Sequence, residues 1–334
     1  MRRFINLILP LMLLLAVGAA GAQAPLNVVA TTTILADVAR NVGGDLVTVT
    51  SLVPANADPH AFEPTTEGAV LLARADLLLT VGAGYEQFLG GLLESVGADV
   101  PAYIVSNGIK ILPYGAQQDS AADHDDGYLG ILGDELTCTP DDTEADHDEA
   151  AVDHDHGACD PHVWLDAANV MIWADNIAKA LTLADPDNAA VYRANADAYM
   201  DELSRLHLEI LDTVAEIPED RRVLVTNHEF MSYYARAYGF EVAATVLAGG
   251  STGSEVAPQA LANLIAQVQA EGVPAIFAET SANPQIAEVI AQETGIGVVT
   301  SLYSEALGGE GSPAPTYIDM MRYNTRTIVN ALKG

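Results

Sequence analysis

Short runs of apolar residues alternate along the chain with segments whose apolar residues recur every three or four positions. Apolar runs of about four to eight residues are typical of buried strands, whereas the longer spacing is typical of amphipathic helices. The predicted strands include 26–33, 46–53, 103–109, 222–228, 274–280 and 297–303. The predicted helices include 34–42, 258–270, 284–294 and 316–332. Because strands that alternate with helices favour parallel sheets with helices packed on them, the pattern predicts an α/β fold.

One helical pattern is much longer than the others. It begins at Asp185 and Pro186, which fit an N-cap and the first helical position, and it ends at Pro218. Its apolar positions are Tyr192, Ala196, Tyr199, Leu203, Leu206, Ile210 and Val214. At 1.5 Å per residue, about 32 helical residues form a rod of roughly 48 Å. A rod of that length is as wide as a domain, so we expect it to run along or between two lobes.

The first 24 residues have the pattern of a secretory signal peptide. Arg2 and Arg3 precede an apolar run over 7–17, and a small-x-small cleavage site ends at Ala24. We therefore expect cleavage after Ala24 and an exported protein, either periplasmic or extracellular. No later run reaches the roughly 18 consecutive apolar residues of a membrane span.

Acidic residues outnumber basic residues by 46 to 14, and the formal net charge is −32. Hydrophobic residues make up 50% of the chain and charged residues 18%, a composition that excludes a wholly disordered chain. A strongly acidic surface repels nucleic acid and attracts cations. We therefore expect no nucleic-acid partner, although the acidity would also serve solubility alone.

Much of the acid is concentrated in the segment 119–160. It contains fifteen Asp or Glu and four of the eight His, but no Lys or Arg. A segment of this composition lacks the apolar residues for a core, so it is predicted to be an insertion into the α/β fold. The two cysteines of the chain, Cys138 and Cys159, also lie in it. In an exported protein such a pair predicts a disulfide, with a thiolate metal site as the alternative.

The tripeptide Asp-Pro-His occurs twice and ends at His60 and at His162. Proline fixes the backbone beside each histidine, and the acids Asp58 and Asp160 are placed to orient the imidazole rings. A lone histidine is more often a surface or core residue. Two copies of one histidine motif in an acidic, exported protein favour metal binding.

Three further candidates stand where predicted strands end. His228 closes one strand, and Glu279 and Glu305 follow two others. The carboxyl ends of parallel strands are where ligands bind in α/β folds. Three imidazoles and one carboxylate suit tetrahedral Zn²⁺, whereas manganese prefers more carboxylate ligands. Combined with His60 and His162, these residues predict a zinc site.

At these motifs the chain resembles the metal-binding solute-binding proteins of bacterial ABC transporters, in particular the zinc-uptake group. The resemblance covers essentially the whole mature chain and rests on DPHAFEPT, DPHVWLDAANV, NAAVYRANADAYMDEL, VLVTNHEFMSYYARAYGF, IFAETSANPQIAEVIAQETGI and LYSEALGGEGSPAPTYIDMMRYNTRTIV. It implies two α/β lobes, 25–183 and 218–334, joined by one long rigid helix over 184–217. The metal is then expected in the cleft between the lobes.

The resemblance also implies a role for individual residues. His60 and His162 fall on the ligands of the first lobe, and His228 and Glu305 on those of the second. Zinc-type members have His at the third position, where manganese-type members usually have Glu. The fourth ligand is commonly Asp, so the longer Glu305 leaves open whether one or both of its oxygens bind. Glu279 is expected to support the site, or else to be a buried structural acid.

Zinc-uptake proteins often carry His-rich loops where the acidic insertion lies. This implies weak metal capture by the loop histidines, and a solvated linker with incidental histidines is the alternative. The histidines concerned are His124, His147, His154 and His156. A bridge between Cys138 and Cys159 would tether part of the loop close to His162.

The resulting expectation is a monomeric protein, not an enzyme, that delivers Zn²⁺ to a membrane permease driven by a separate ATPase. A manganese or broad-specificity importer of the same family is the first alternative. A zinc hydrolase is a distant one, because Ser232 stands where the second histidine of H-E-x-x-H is required. The G-x-S-x-G match at 249–253 lacks the helix that must follow the serine and any later histidine.

Overall fold

A computed structural model describes residues 24–97, 100–114, 130–131, 159–247, 258–280 and 285–333. The strands are β1 (Leu26–Ala30), β2 (Val47–Ser51), β3 (Leu77–Thr80), β4 (Ala102–Ile104), β5 (Leu112–Pro113), β6 (Gly130–Ile131), β7 (Cys159–Asp160), β8 (Val223–His228), β9 (Glu241–Leu247), β10 (Ala275–Glu279) and β11 (Gly297–Leu302). The helices are α1 (Thr33–Gly43), α2 (Thr66–Leu72), α3 (Leu89–Val96), α4 (Ala167–Ala184), α5 (Ala189–Val214), α6 (Ser232–Tyr238), α7 (Pro258–Glu271), α8 (Gln285–Thr294) and α9 (Tyr317–Leu332). Each predicted strand and helix is present to within about three residues at each end, except that the strand predicted over 103–109 ends at Ile104, where the chain turns.

Two sheets built from parallel strands confirm the predicted α/β class. The first has the order β2-β1-β3-β4-β6, and its strands are parallel except for β6 at the edge. The second has the order β11-β10-β8-β9 and is parallel throughout. All four residues of β3 are buried, as expected for a parallel strand covered on both faces. We call the part before α5 the N-terminal lobe and the part after α5 the C-terminal lobe.

A short antiparallel ladder closes the base of the acidic segment. Leu112 pairs with Asp160 and Pro113 with Cys159, so β5 and β7 lie side by side. The last two residues of the predicted insertion therefore form a strand of the fold. Because His162 follows β7 by two residues, the ladder also fixes the backbone that carries this histidine.

The long helix is α5, whose 26 residues span about 39 Å. Its buried positions are the seven apolar residues that the spacing predicted. Asp185 and Pro186 take the predicted N-cap and first helical positions, but the first turn, Pro186–Asn188, is a 3-10 turn that continues into α5 at Ala189. The Asp185 carboxylate does not cap a backbone N–H. Instead it accepts hydrogen bonds from Asn188 Nδ2 and the Tyr192 hydroxyl, at 2.6 and 2.8 Å.

One large apolar core runs through both lobes. It contains residues from β1, α1, α4, α5, α6 and α9, including the fully buried Trp164, Trp173 and Tyr317. On the surface, Arg322 of α9 makes a two-pronged ion pair with Glu209 of α5. The long helix is therefore packed against both lobes along its length, and it is not an isolated rod.

None of the helices in the described ranges is both long enough and apolar enough to cross a membrane. Of the predicted signal segment, only Ala24 belongs to the described residues.

Candidate metal centre

The two Asp-Pro-His motifs fold into the same local turn. In each, the aspartate Oδ1 accepts the backbone N–H of the histidine two residues later, at 2.9 Å for Asp58 and 3.0 Å for Asp160. Asp160 Oδ1 also lies 2.7 Å from Nδ1 of His162, as predicted for an orienting carboxylate. The remaining ring nitrogen, Nε2, is thereby directed away from the turn. The repeated tripeptide therefore orients the imidazole so that Nε2 is available as a ligand.

The C-terminal lobe contributes from the carboxyl edge of its sheet. His228 is the last residue of β8, Glu279 the last of β10, and Glu305 follows β11. Because these strands are parallel neighbours, the three side chains meet at one edge. Glu279 Oε1 lies 2.6 Å from His228 Nδ1 and accepts from Asn227 Nδ2, while Oε2 accepts from the Ser304 hydroxyl. Glu279 thus holds His228 as Asp160 holds His162.

The structure brings all four predicted ligand side chains together. The distances from Nε2 of His60, His162 and His228 to Oε1 of Glu305 are 3.5, 2.8 and 3.3 Å. The candidate ligand atoms all lie within 4.8 Å of one another, and within the described ranges no other cluster of this kind is found. In a tetrahedral zinc site with bonds of about 2.0–2.1 Å, ligand atoms are about 3.3–3.4 Å apart. The three distances to Glu305 Oε1 are therefore close to the spacing that such an ion requires.

The donor atoms are almost completely removed from water. His162, His228 and Glu305 are buried, and the side chain of His60 is only 5% exposed. Nε2 of His162 and of His228, and Oε1 of Glu305, make no hydrogen bond of normal geometry with the described part of the chain. Buried polar atoms are costly unless they are satisfied. A cation bound between them would satisfy them.

Charges of opposite sign alternate through the cluster. Burial disfavours the charged form of Glu305, but the imidazoles of His162 and His60 outweigh burial and hold its pKa well below the usual range. Burial lowers the pKa of His162, but the carboxylates of Glu305 and Asp160 prevail and raise it to about 10. Without metal, His162 is therefore a protonated imidazole between two carboxylates.

The second carboxylate–imidazole pair behaves in the same way. Burial again opposes charge on His228, but Glu279 raises the pKa of the imidazole to about 9. Burial raises the pKa of Glu279, and the neighbouring His228 outweighs it and lowers the value. Because an imidazole binds metal only when its nitrogen is deprotonated, a cation has to displace protons from this site.

Tyr85 is a member of the site that the sequence did not reveal. Its hydroxyl donates to Glu305 Oε2 at 3.1 Å and leaves Oε1 facing the imidazoles. Gly82 and Gly84 have φ of 88° and 76°, so the chain reverses after β3 and directs Tyr85 toward the other lobe. Glu86 fixes this turn by accepting the backbone N–H groups of residues 81 and 82.

Aromatic rings form the walls of the cluster. Phe230 stacks on His228, with ring centroids 4.9 Å apart, and Trp164 meets His162 edge-on at 5.5 Å. These rings exclude water and restrict the orientation of the imidazoles. Neither residue was predicted, because nothing in the sequence distinguishes them from other core aromatics.

Several predicted residues cannot be placed in the site. The loop histidines His124, His147, His154 and His156, and also Cys138, lie outside the described residues. The auxiliary loop site and the disulfide to Cys159 therefore stay predictions. The G-x-S-x-G match at 249–253 also lies outside them.

Two α/β lobes with a buried cluster of three histidines and one carboxylate between them define a two-lobed metal-binding protein. Residues 28–331 match the profile of the family described as ZnuA, zinc-uptake complex component A, periplasmic. The chain belongs to this family.

Named relatives and solved structures agree with this assignment. The manganese-binding lipoprotein MntA of Halalkalibacterium halodurans is 31% identical over 307 residues, which are 92% of this chain and 88% of the relative. The iron-binding protein YfeA of Yersinia pestis is 30% identical over 302 residues, or 90% of this chain and 85% of the relative. The structure of the periplasmic zinc-binding protein TroA from Treponema pallidum superposes with a TM-score of 0.74 at 26% identity, covering 93% of this chain and 99% of that one.

Family membership confirms the resemblance and the two-lobed α/β fold inferred from the sequence. Proteins of this family are substrate-binding components of metal ABC transporters and not enzymes, so the hydrolase alternatives are discarded. The relatives described above are named for manganese, iron and zinc, and the family alone does not select one metal.

Proposed function

We propose that this protein captures Zn²⁺ outside the cytoplasmic membrane and delivers it to the permease of an ABC transporter, which a separate ATPase drives. The observation that carries the proposal is the convergence of three imidazole nitrogens on one carboxylate oxygen. His60 and His162 supply ligands from the N-terminal lobe, and His228 and Glu305 from the C-terminal lobe. The ion is the cargo, and by bridging the lobes it stabilises their contact.

The donor set supports zinc over manganese. Nitrogen ligands suit Zn²⁺, whereas Mn²⁺ is better served by carboxylate, carbonyl and water oxygens. With Tyr85 on Oε2, Glu305 offers Oε1 as its single ligand oxygen, which keeps the carboxylate share low. A manganese or broad-specificity importer is the alternative, favoured by the names of the manganese- and iron-binding relatives.

Capture outside the membrane is supported by the predicted signal peptide and by relatives that are named periplasmic proteins or lipoproteins. In the mature protein we propose two lobes, 25–183 and 218–334, connected by the helical segment 184–217. Edman sequencing of the exported protein tests the cleavage, and the expected first residue is Pro25.

Competition with a chelator tests the metal assignment. The metal-stripped protein is titrated with Zn²⁺ and with Mn²⁺, and the expected result is one tight zinc equivalent and much weaker manganese. His60→Ala should abolish tight zinc binding. His207→Ala is the matched control, because this histidine lies on α5 and is not a member of the cluster. Manganese binding as tight as zinc binding would favour the alternative, and absence of any tight metal would refute the site.

We also propose that the acidic segment captures metal weakly through His124, His147, His154 and His156. Replacing these four residues by Gln keeps the length, the charge and both cysteines. The variant should lose the weaker zinc equivalents and keep the tight one. An unchanged number of equivalents would identify the segment as a linker.

A further inference from the structure

A buried hydrogen bond joins the two lobes directly beside the metal cluster. The indole Nε1–H of Trp164 donates to the backbone carbonyl of Ser304 over 2.7 Å, and both residues are only 1% exposed. Trp164 follows His162 by two residues, and Ser304 immediately precedes Glu305. The bond therefore connects the backbone segments that carry one ligand from each lobe.

Both partners of this bond are held by further contacts. The backbone carbonyl of Trp164 accepts from the Tyr317 hydroxyl at 2.7 Å, and the indole packs edge-on against Tyr85 at 5.2 Å. On the other side, the Ser304 hydroxyl donates to Glu279, the carboxylate beside His228. A displacement of the indole would be transmitted to ligands in both lobes.

We propose that Trp164 is a positioning residue of the metal site, which holds His162 and Glu305 at ligating distance and so slows the release of metal. This inference rests on the proposed function. His162 Nε2 and Glu305 Oε1 are 2.8 Å apart, although their backbones belong to different lobes. Without metal, the two ligands stay this close only if another contact holds their backbone segments together. The bond between Trp164 and Ser304 is such a contact. A preorganised site changes the dissociation rate more than the association rate.

The chain contains a matched control. Trp173, its second tryptophan, is fully buried, and its Nε1–H donates to the Ser106 hydroxyl at 2.9 Å. Trp173→Phe removes the same donor and leaves the same gap, but the lost bond lies within the N-terminal lobe. Trp164→Phe removes the bond between lobes. A comparison of the two variants separates positioning from general destabilisation.

Release of zinc is the decisive measurement. Zinc-loaded wild type, Trp164→Phe and Trp173→Phe are mixed with excess chelator in a stopped-flow instrument. We expect release about tenfold faster from Trp164→Phe, and within about twofold of wild type from Trp173→Phe, because loss of a buried hydrogen bond is large enough for the former change. The Co²⁺ absorption spectrum, which reports ligand geometry, should change only in Trp164→Phe.

The outcomes distinguish this inference from the proposed function. Equal release rates and spectra in the two variants would overturn the role of Trp164 while the wild type still binds zinc. A wild type that binds no zinc would remove the proposed function and this inference with it. If Trp164→Phe does not fold, benzothienylalanine at position 164 keeps the ring size and replaces N–H by sulfur. The same faster release is then expected, and a wild-type rate would overturn the inference.

Discussion

The two carboxylate oxygens of Glu305 have different neighbours. Oε2 accepts from the Tyr85 hydroxyl, and Oε1 faces the three imidazoles. The negative charge is also the chief reason why the imidazole of His162 is charged in the metal-free protein.

Glu305→Gln keeps the shape and an oxygen for Tyr85 but removes the charge. We expect zinc affinity to fall about a hundredfold or more, since loss of one member of a buried charged cluster typically costs about 3–5 kcal/mol. Glu310→Gln is the control, because this glutamate is exposed in the same loop. Competition with a chelator gives both affinities. Equal zinc affinities of Glu305→Gln and Glu310→Gln would show that Glu305 is not a ligand.

Zinc binding should release protons. The pKa values of His162 and His228 are raised to about 10 and about 9, so both imidazoles are protonated at neutral pH before metal arrives. Because only deprotonated imidazoles bind metal, we expect about two protons released per zinc ion at pH 7 and weaker binding as the pH falls. Calorimetry in two buffers of different ionisation enthalpy measures the release. A binding enthalpy independent of buffer would show that His162 and His228 are not protonated in the metal-free protein at pH 7.

A site residue could be predicted where the residues next to it in the sequence form a recognisable pattern. His60 and His162 carry a repeated tripeptide, and His228 and Glu305 stand at strand ends, so neighbouring residues sufficed. Tyr85 was missed because its contact with Glu305 joins residues 220 positions apart. The same holds for Trp164 and Ser304, which are 140 positions apart. Neither contact leaves a pattern in the sequence around it.

At the scale of elements, a helix can be predicted from the sequence when it has one buried face and one polar face, and α4 and α5 differ in this respect. The buried residues of α5 recur at three and four positions, so its face could be identified. The helix α4 was missed because it is buried on most sides and lacks a polar face of regular period. The 3-10 geometry of the first turn could not be predicted, because the Asp185 carboxylate accepts from Asn188 and Tyr192 and caps no backbone N–H.

Two leucines on α5 provide a paired test of which face of the helix is buried. Leu206 is fully buried and Leu208 is 62% exposed. Leu206→Ala should lower the free energy of unfolding of the metal-free protein by about 2–5 kcal/mol, because it leaves a cavity in the core. Leu208→Ala should change it by no more than about 0.5 kcal/mol. Chemical denaturation measures both, and similar losses would mean that the buried face is wrongly assigned.

At the scale of the molecule, the lobes are joined by more than the long helix. The backbone N–H of Tyr317 donates to the buried Asp37 carboxylate, and that of Leu307 donates to the Thr33 hydroxyl. The main apolar core also continues from one lobe into the other. Wide opening would expose this core and leave buried polar groups without partners, and both changes are costly.

Metal release should therefore need only local shifts of loops and ligands, and the overall dimensions should hardly depend on zinc. For a compact chain of this length the radius of gyration is about 20 Å. Small-angle scattering of the metal-free and zinc-loaded proteins should give equal radii within error. Glu305→Gln, measured in the same zinc solution, controls for effects of the ion outside the site. A clear compaction on zinc binding, absent from that variant, would show that the lobes separate as rigid bodies. The contacts between Tyr317 and Asp37 and between Trp164 and Ser304 would then belong only to the metal-bound state.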